Sequence, residues 1–220
     1  MAVDIDRDPM AIPNASSVTT GRVRFDAPNA ASPIADPAPV GLIALALTTL
    51  IFNLFNTGLL SRAGEPIVLA LAVVYGGVIE LGAGVWELRR GNSFGAMTFM
   101  SYAAFWLSYW VLEQFIVGRI PAADSGHAVG AFMIVWGVFS ASLWVVSLRT
   151  TAAVSTMLLM LAVSLVLLGI GISGAHADLV KIGGGFGLAT AVAGWYAAFG
   201  GLINSVFGRT LLPLVPLRER

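Results

Sequence analysis

The chain has 220 residues and no cysteine. That excludes a disulfide framework, a thiolate nucleophile and any sulfur-ligated metal. Charge is scarce as well: Asp, Glu, Lys and Arg make up 11% of the residues, against about a quarter in an ordinary soluble domain. The only two histidines, His127 and His176, lie too far apart for a paired metal-ligand spacing, so no metal is expected. No Walker sequence, Gly-x-Ser-x-Gly elbow or His-Glu-x-x-His is present. Their absence excludes ATP-driven pumping by this chain alone and leaves no enzyme signature and no expected cofactor. A formal net charge of zero gives no reason to expect a nucleic-acid partner.

What the chain has instead is long apolar stretches. Six run over 39–60, 66–86, 94–117, 128–148, 152–174 and 182–207, and four of them hold no Asp, Glu, Lys, Arg or His. A helix crossing the hydrocarbon needs about 20 mostly apolar residues. The sequence therefore predicts an all-α membrane protein, a bundle of six transmembrane helices with the bilayer as solvent. Residues 36–213 form this transmembrane domain. Residues 1–35, rich in Asp, Ala, Pro, Ser and Asn, read as a disordered cytoplasmic N-terminal tail, and 214–220 as a short cytoplasmic C-terminal tail. No 7–15-residue apolar core follows basic residues near the start, so a cleavable signal peptide is not expected.

Basic residues set the orientation. With the N-terminus inside, Arg7, Arg22, Arg24, Arg89, Arg90, Arg149, Arg209, Arg218 and Arg220 are cytoplasmic, against Arg62, Arg119 and Lys181 outside. This bias predicts both termini in the cytoplasm and a multi-pass protein of a bacterial-type cell membrane.

Prolines and glycines mark the helix plan. Pro37 and Pro39 open the first span, and Pro66 opens the second after a turn at 61–65; proline suits a first turn because it lacks an amide that would be unpaired there. The outer link Gly118–His127 contains Pro121. Gly76, Glu80 and Gly84 recur every four residues and so share one helix face. Small residues let membrane helices approach closely, where lipid supplies no hydrophobic drive for association. The abundance of glycine within spans predicts tight intraprotomer packing and a homo-oligomer.

Polar atoms inside the spans carry the functional argument. Glu80 lies mid-span, where an ionised group is expensive and a proton relay is the usual role. The alternative is a neutral Glu80 bonded to a neighbouring helix. Glu113, near the outer end of its span, reads as a snorkelling residue paired with Arg119. Thr48, Thr49, Asn53 and Asn56 cluster on the first span, and Tyr102 and Trp106 lie on the third. No basic residue lies deep in any span, so neutral donors would have to hold an anionic cargo. Such a lining suits a small weak acid passing singly.

The same residues carry a family resemblance. Asp36, Pro37, Ala38, Pro39, Val40, Gly41 and Leu42 resemble the Asn-Pro-Ala-Pro-Leu-Gly-Leu signature of the acetate uptake transporters (the succinate–acetate permease, or Gpr1/Fun34/YaaH, family). The match continues through 48–56, Tyr75-Gly-Gly, Trp86-Glu, Gly91-Asn-Ser-Phe-Gly and Ser101-Tyr-Ala-Ala-Phe-Trp. Trp136-Gly-Val-Phe and the terminal 207–213 complete it, so the resemblance spans 36–213.

The resemblance implies a channel-like six-helix protomer, assembled as a hexamer, that moves acetate and related small monocarboxylates, with succinate in some members. It implies a constriction at Leu45, Tyr102 and Leu161, a pinch that blocks ions by dewetting. Three positions depart from the family pattern. Asp36 stands for Asn and puts a negative charge at the mouth. Leu45 stands where an aromatic is usual, and Glu80 where Gln is common. The expected activity is proton-linked or channel-like transport; a sensor or scaffold of the same fold without flux is the alternative.

Overall fold

The computed structural model describes residues 34–217; the predicted N-terminal tail lies almost wholly outside the described residues. Six helical rods follow one another. Helix 1 is Ala38–Asn56 and helix 2 is Arg62–Arg89. Helix 3 is Ser93–Val111, extended by a π turn at Leu112–Ile116 and a 3-10 turn at Val117–Arg119. Helix 4 is Ala122–Ser147, helix 5 Ala152–Ser173 and helix 6 Ala177–Phe207. Among the described residues there is no strand, only an isolated bridge between Thr151 and Pro216. Five of the rods are long and apolar enough to cross a membrane. Helix 3, which carries Ser93, Thr98, Ser101, Ser108 and Glu113, is the more polar one.

Several helix starts differ from the apolar limits read in the sequence. Most of the link expected over 118–127 is helical, because helix 4 begins at Ala122 behind Pro121 and carries Asp124 in its first turn. Helix 6 likewise begins at Ala177 with Asp178 in its first turn. An acidic side chain near a helix N-terminus offsets the partial positive charge of the free amides, so these polar turns are helical without being apolar. The expected turn at 61–65 is itself mostly helical, with Ser61 Oγ accepting from the Ala63 amide at 3.4 Å.

Helix 2 is not uniform. A π segment, Val74–Ile79, interrupts it immediately before Glu80. Such insertions bulge the backbone and often mark functional sites. Beyond it, Asn92 closes the turn to helix 3: its Oδ1 accepts the Gly95 amide at 3.0 Å and its Nδ2 donates to Glu87 Oε2 at 2.9 Å. Glu87 is fully buried there, although the sequence reading ended the second span at residue 86.

Around the bundle the neighbours run 3–2–1–6–5–4. The seam between helices 3 and 4 is thin in backbone proximity and is bridged by rings. Tyr102 meets Phe139 at 6.2 Å, and Phe105 meets Phe132 at 5.7 Å and Trp136 at 5.4 Å. Elsewhere glycine permits contact: a Cβ on Gly169 would lie 2.6 Å from the Gly130 carbonyl. Large apolar side chains such as Val135, Val138, Val192 and Val206 remain exposed, which suits lipid or another subunit rather than water.

One end of the bundle is tied by contacts between segments remote in sequence. Arg90 donates to Asp36 Oδ1, joining the start of helix 1 to the turn between helices 2 and 3. Helix 6 ends at Gly208, which adopts a left-handed φ of 63°. The chain then folds back. Asn204 Oδ1 accepts the Leu211 and Leu212 amides at 2.7 and 3.0 Å, and its Nδ2 donates to the Leu212 carbonyl at 2.8 Å. Tyr196 donates to the Pro213 carbonyl at 2.7 Å. The Ala152 amide reaches the Val215 carbonyl at 2.8 Å. Residues 214–217 therefore lie against the bundle.

Candidate functional site

Inside the ring, helices 1, 3 and 5 enclose a cavity of about 10 Å³, lined by Thr49, Phe52, Asn53, Phe105, Trp106, Leu161, Ser164, Leu165 and Leu168. That is room for about one water, so the passage is closed here. Four residues singled out in the sequence, Thr49, Asn53, Trp106 and Leu161, meet at this point. Phe52 stands edge-on to Trp106 at 5.9 Å and to Tyr109 at 5.3 Å, which makes an aromatic collar on one side.

The hydrogen bonds decide what this lining offers. Asn53 Nδ2 donates to the Thr49 carbonyl at 2.8 Å, and Asn56 Nδ2 to the Phe52 carbonyl at 3.1 Å. Thr48 Oγ1 donates to the Ala44 carbonyl at 2.9 Å. Each engages its own helix four residues back, the local bond that Ser, Thr and Asn side chains make inside helices. Ser164 Oγ donates across to the Gly183 carbonyl at 2.8 Å. The sequence reading expected neutral donors to face an anion. In the structure the side chains of Thr48, Asn53, Asn56 and Ser164 each direct a donor to a backbone carbonyl. Asn53 Oδ1 is buried without a hydrogen-bond partner among the described residues. The space beside it is kept by Gly187, where a Cβ would come within 2.2 Å of the Asn53 amide.

The remaining predicted positions surround this centre. Thr48 is fully buried but turned toward helix 2, where a Cβ on Gly76 would lie 3.0 Å from its hydroxyl and 2.6 Å from Trp106. Tyr102 donates to Ser140 Oγ at 2.9 Å, and Ser140 passes its own hydrogen to the Trp136 carbonyl at 2.7 Å. Leu45, Tyr102 and Leu161 are all buried in the core cluster. Asn56 ends the row: its Oδ1 accepts from Arg62 Nη2 at 3.3 Å.

Glu80 is fully buried and neither carboxyl oxygen has a hydrogen-bond partner among the described residues. Gly76, Glu80 and Gly84 are all buried, as their spacing predicts. Gly76 faces Trp106 and Thr48, and Gly84 faces Met100, and Glu80 is not among the residues that line the cavity. Glu113 is half-buried in the π turn of helix 3 and is not paired with Arg119.

In the signature segment, Pro37 is buried, Val40 is exposed, and Gly41 lies against the Phe99 ring, where a Cβ would come within 2.7 Å. Leu42 packs into the core. Asp36 Oδ1 accepts the Ala38 amide at 3.2 Å as well as the Arg90 guanidinium. The negative charge expected at the mouth is therefore matched by Arg90.

The sequence reading missed Ser164, Phe105, Leu165 and Leu168 as lining residues. Leu161, Ser164, Leu165 and Leu168 follow the three-and-four spacing of one helix face. A hydroxyl on that face of an otherwise apolar span was the available signal.

A helical bundle with an apolar exterior and a narrow interior lined by neutral polar atoms defines an integral, multi-pass membrane protein of the transporter or channel type. Comparison with known proteins specifies the family: residues 20–218 match the GPR1/FUN34/yaaH family, and the chain belongs to it. It is 33% identical over 183 residues to the succinate-acetate/proton symporter SatP of Escherichia coli K12, covering 82% of this chain and 95% of that one. It is 34% identical over 195 residues to acetate permease A of Emericella nidulans, covering 82% of this chain and 65% of that protein. The solved structure of the bacterial acetate channel SatP superposes with a TM-score of 0.77 at 32% identity, over 82% of this chain and 99% of that one.

Proposed function

We propose that this chain transports acetate and related small monocarboxylates across a cell membrane, and that the acid crosses the narrow point in its undissociated form. The observation that carries this reading is the unpartnered Oδ1 of Asn53, a residue that lines the central cavity. A buried acceptor without a donor costs about 1–3 kcal/mol. A carboxylic acid supplies that donor through its hydroxyl, whereas a carboxylate brings only further acceptors. No Lys or Arg is among the buried residues to balance an anion there. Transport of the acid form carries a proton with each molecule, so the pH gradient drives uptake.

In this reading the protomer crosses the membrane six times, with both termini in the cytoplasm. Arg89, Arg90, Arg149 and Arg209 gather at one end of the bundle and Arg62, Arg119 and Lys181 at the other, which supports that orientation. Leu45, Tyr102 and Leu161 form the pinch, Thr49, Asn53, Asn56 and Trp106 the path, and Glu80 a proton site beside it. Family likeness supports a homo-hexamer with a path in each protomer. The chain acts as a transporter rather than an enzyme.

Labelled acetate uptake into proteoliposomes, with and without an inward acid gradient, tests the proposal. Uptake well above empty liposomes, accelerated by the gradient, is expected. Uptake equal to that of empty liposomes would leave a sensor or scaffold without flux as the better account.

A further inference from the structure

The groups around the far end of the Asn53–Asn56 row differ from the neutral lining. Arg62, in the first turn of helix 2, donates from Nη2 to Asn56 Oδ1 at 3.3 Å and from Nη1 to both Glu65 oxygens at 3.1 and 3.4 Å. The Arg62 side chain is 56% exposed and that of Glu65 25% exposed, whereas Asn56 is buried. Asn56 lies one helical turn beyond Asn53, about 5 Å along the axis. Tyr109, which caps the aromatic collar against Phe52, and Glu113 face the same group of charges from helix 3. Lys181 stands beyond the turn, its Cε 4.0 Å from where a Gly58 Cβ would be, and pairs loosely with Asp178 at 3.9 Å. Arg62 is thus the cation in direct contact with the polar row.

We propose that Arg62 is the carboxylate-receiving residue at this mouth, with Glu65 as an internal stand-in for the incoming anion. Small carboxylic acids are almost fully ionised near neutral pH, their acidity being that of a side-chain carboxyl. The species that reaches the mouth is therefore the anion, which must be held there until it is protonated and enters the neutral row. The guanidinium fork matches a carboxylate in two-point contact. Glu65 holds that fork over Asn56, and an arriving carboxylate exchanges with Glu65 at an exposed site where the ion pair itself contributes little. The ligand class is a small aliphatic carboxylate. As it leaves Arg62 the carboxylate takes up a proton from water at this exposed mouth, and the neutral acid enters the row at Asn56. This assignment rests on the transport reading above.

The test is half-saturating acetate concentration for uptake into proteoliposomes by the full chain, with acetate presented on the Arg62 face at low ionic strength. Arg62→Gln is expected to raise it about three- to tenfold through the lost charge-assisted bonds. Glu65→Gln, which removes the competing carboxylate, is expected to lower it about two- to fivefold, and Arg62→Lys should retain part of the wild-type affinity. Raising salt should shrink these differences, since exposed charges are screened. Equal or same-direction changes in Arg62→Gln and Glu65→Gln, with active wild-type protein, would overturn the assignment while leaving transport intact. A wild type no faster than empty liposomes defeats the transport reading instead. If Arg62→Gln elutes as misfolded protein, the opposite-sense pair of Glu65→Gln and Arg62→Lys carries the same decision.

Discussion

Side chains that are polar by type differ in what they offer once folded. Thr48, Asn53 and Asn56 each donate to a carbonyl on their own helix, and of the Asn53 amide it is the oxygen that is left without a partner among the described residues. That Thr48, Asn53 and Tyr102 are interior was legible in the sequence, because an amide or hydroxyl facing lipid is costly. The direction of their hydrogen bonds was not, since it depends on which backbone carbonyl lies nearest. Glu80 is the extreme case: a buried carboxyl with no donor beside it, flanked by Gly76 and Gly84, whose missing side chains admit helix 3. Glu80→Gln keeps the shape and removes the titration. The substitution should leave the thermal midpoint within a few degrees and shift the pH dependence of acetate uptake. A pH profile superimposable on wild type would remove Glu80 from the proton pathway.

At the scale of the element, apolar runs located six helices but not their true ends. Helices 4 and 6 start earlier than their apolar runs because Asp124 and Asp178 fit the first turn, and apolar counting does not see dipole compensation. The π segment before Glu80 was equally invisible, since nothing in its composition distinguishes it from ordinary helix. The terminal segment is another such case. The sequence reading ended the last span at 207 and took 214–220 as a tail, yet Asn204 holds Leu211 and Leu212 in a strap against helix 6. Asn204→Ala deletes three hydrogen bonds, worth about 1 kcal/mol each in favourable cases. Trypsin should then cleave after exposed Arg209 several times faster, with a lower thermal midpoint. Unchanged cleavage would mean that the Tyr196 and Thr150–Leu217 contacts suffice to hold the strap.

Over the whole molecule, helices 1, 3 and 5 line one central cavity, and that arrangement brings together polar residues scattered in the sequence. The resemblance in the signature and central block pointed to spans 1, 3 and 5, and the cavity is lined from those three helices. Ser164 and Leu168 escaped notice because span 5 carries the weakest motif match and one serine among its leucines is a weak signal alone. The exposed valines of helices 4 and 6 and the aromatic residues near the end of helix 6 leave a broad apolar exterior suited to lipid.

The account depends on the acid passing through each protomer rather than between protomers. Crystals soaked with bromoacetate, which finds no thiol to alkylate in this cysteine-free chain, would locate the path by the anomalous scattering of bromine. The predicted result is a peak between Asn53, Trp106 and Ser164 within the protomer. Bromine sites only at contacts between subunits, with none inside the ring of helices, would contradict it.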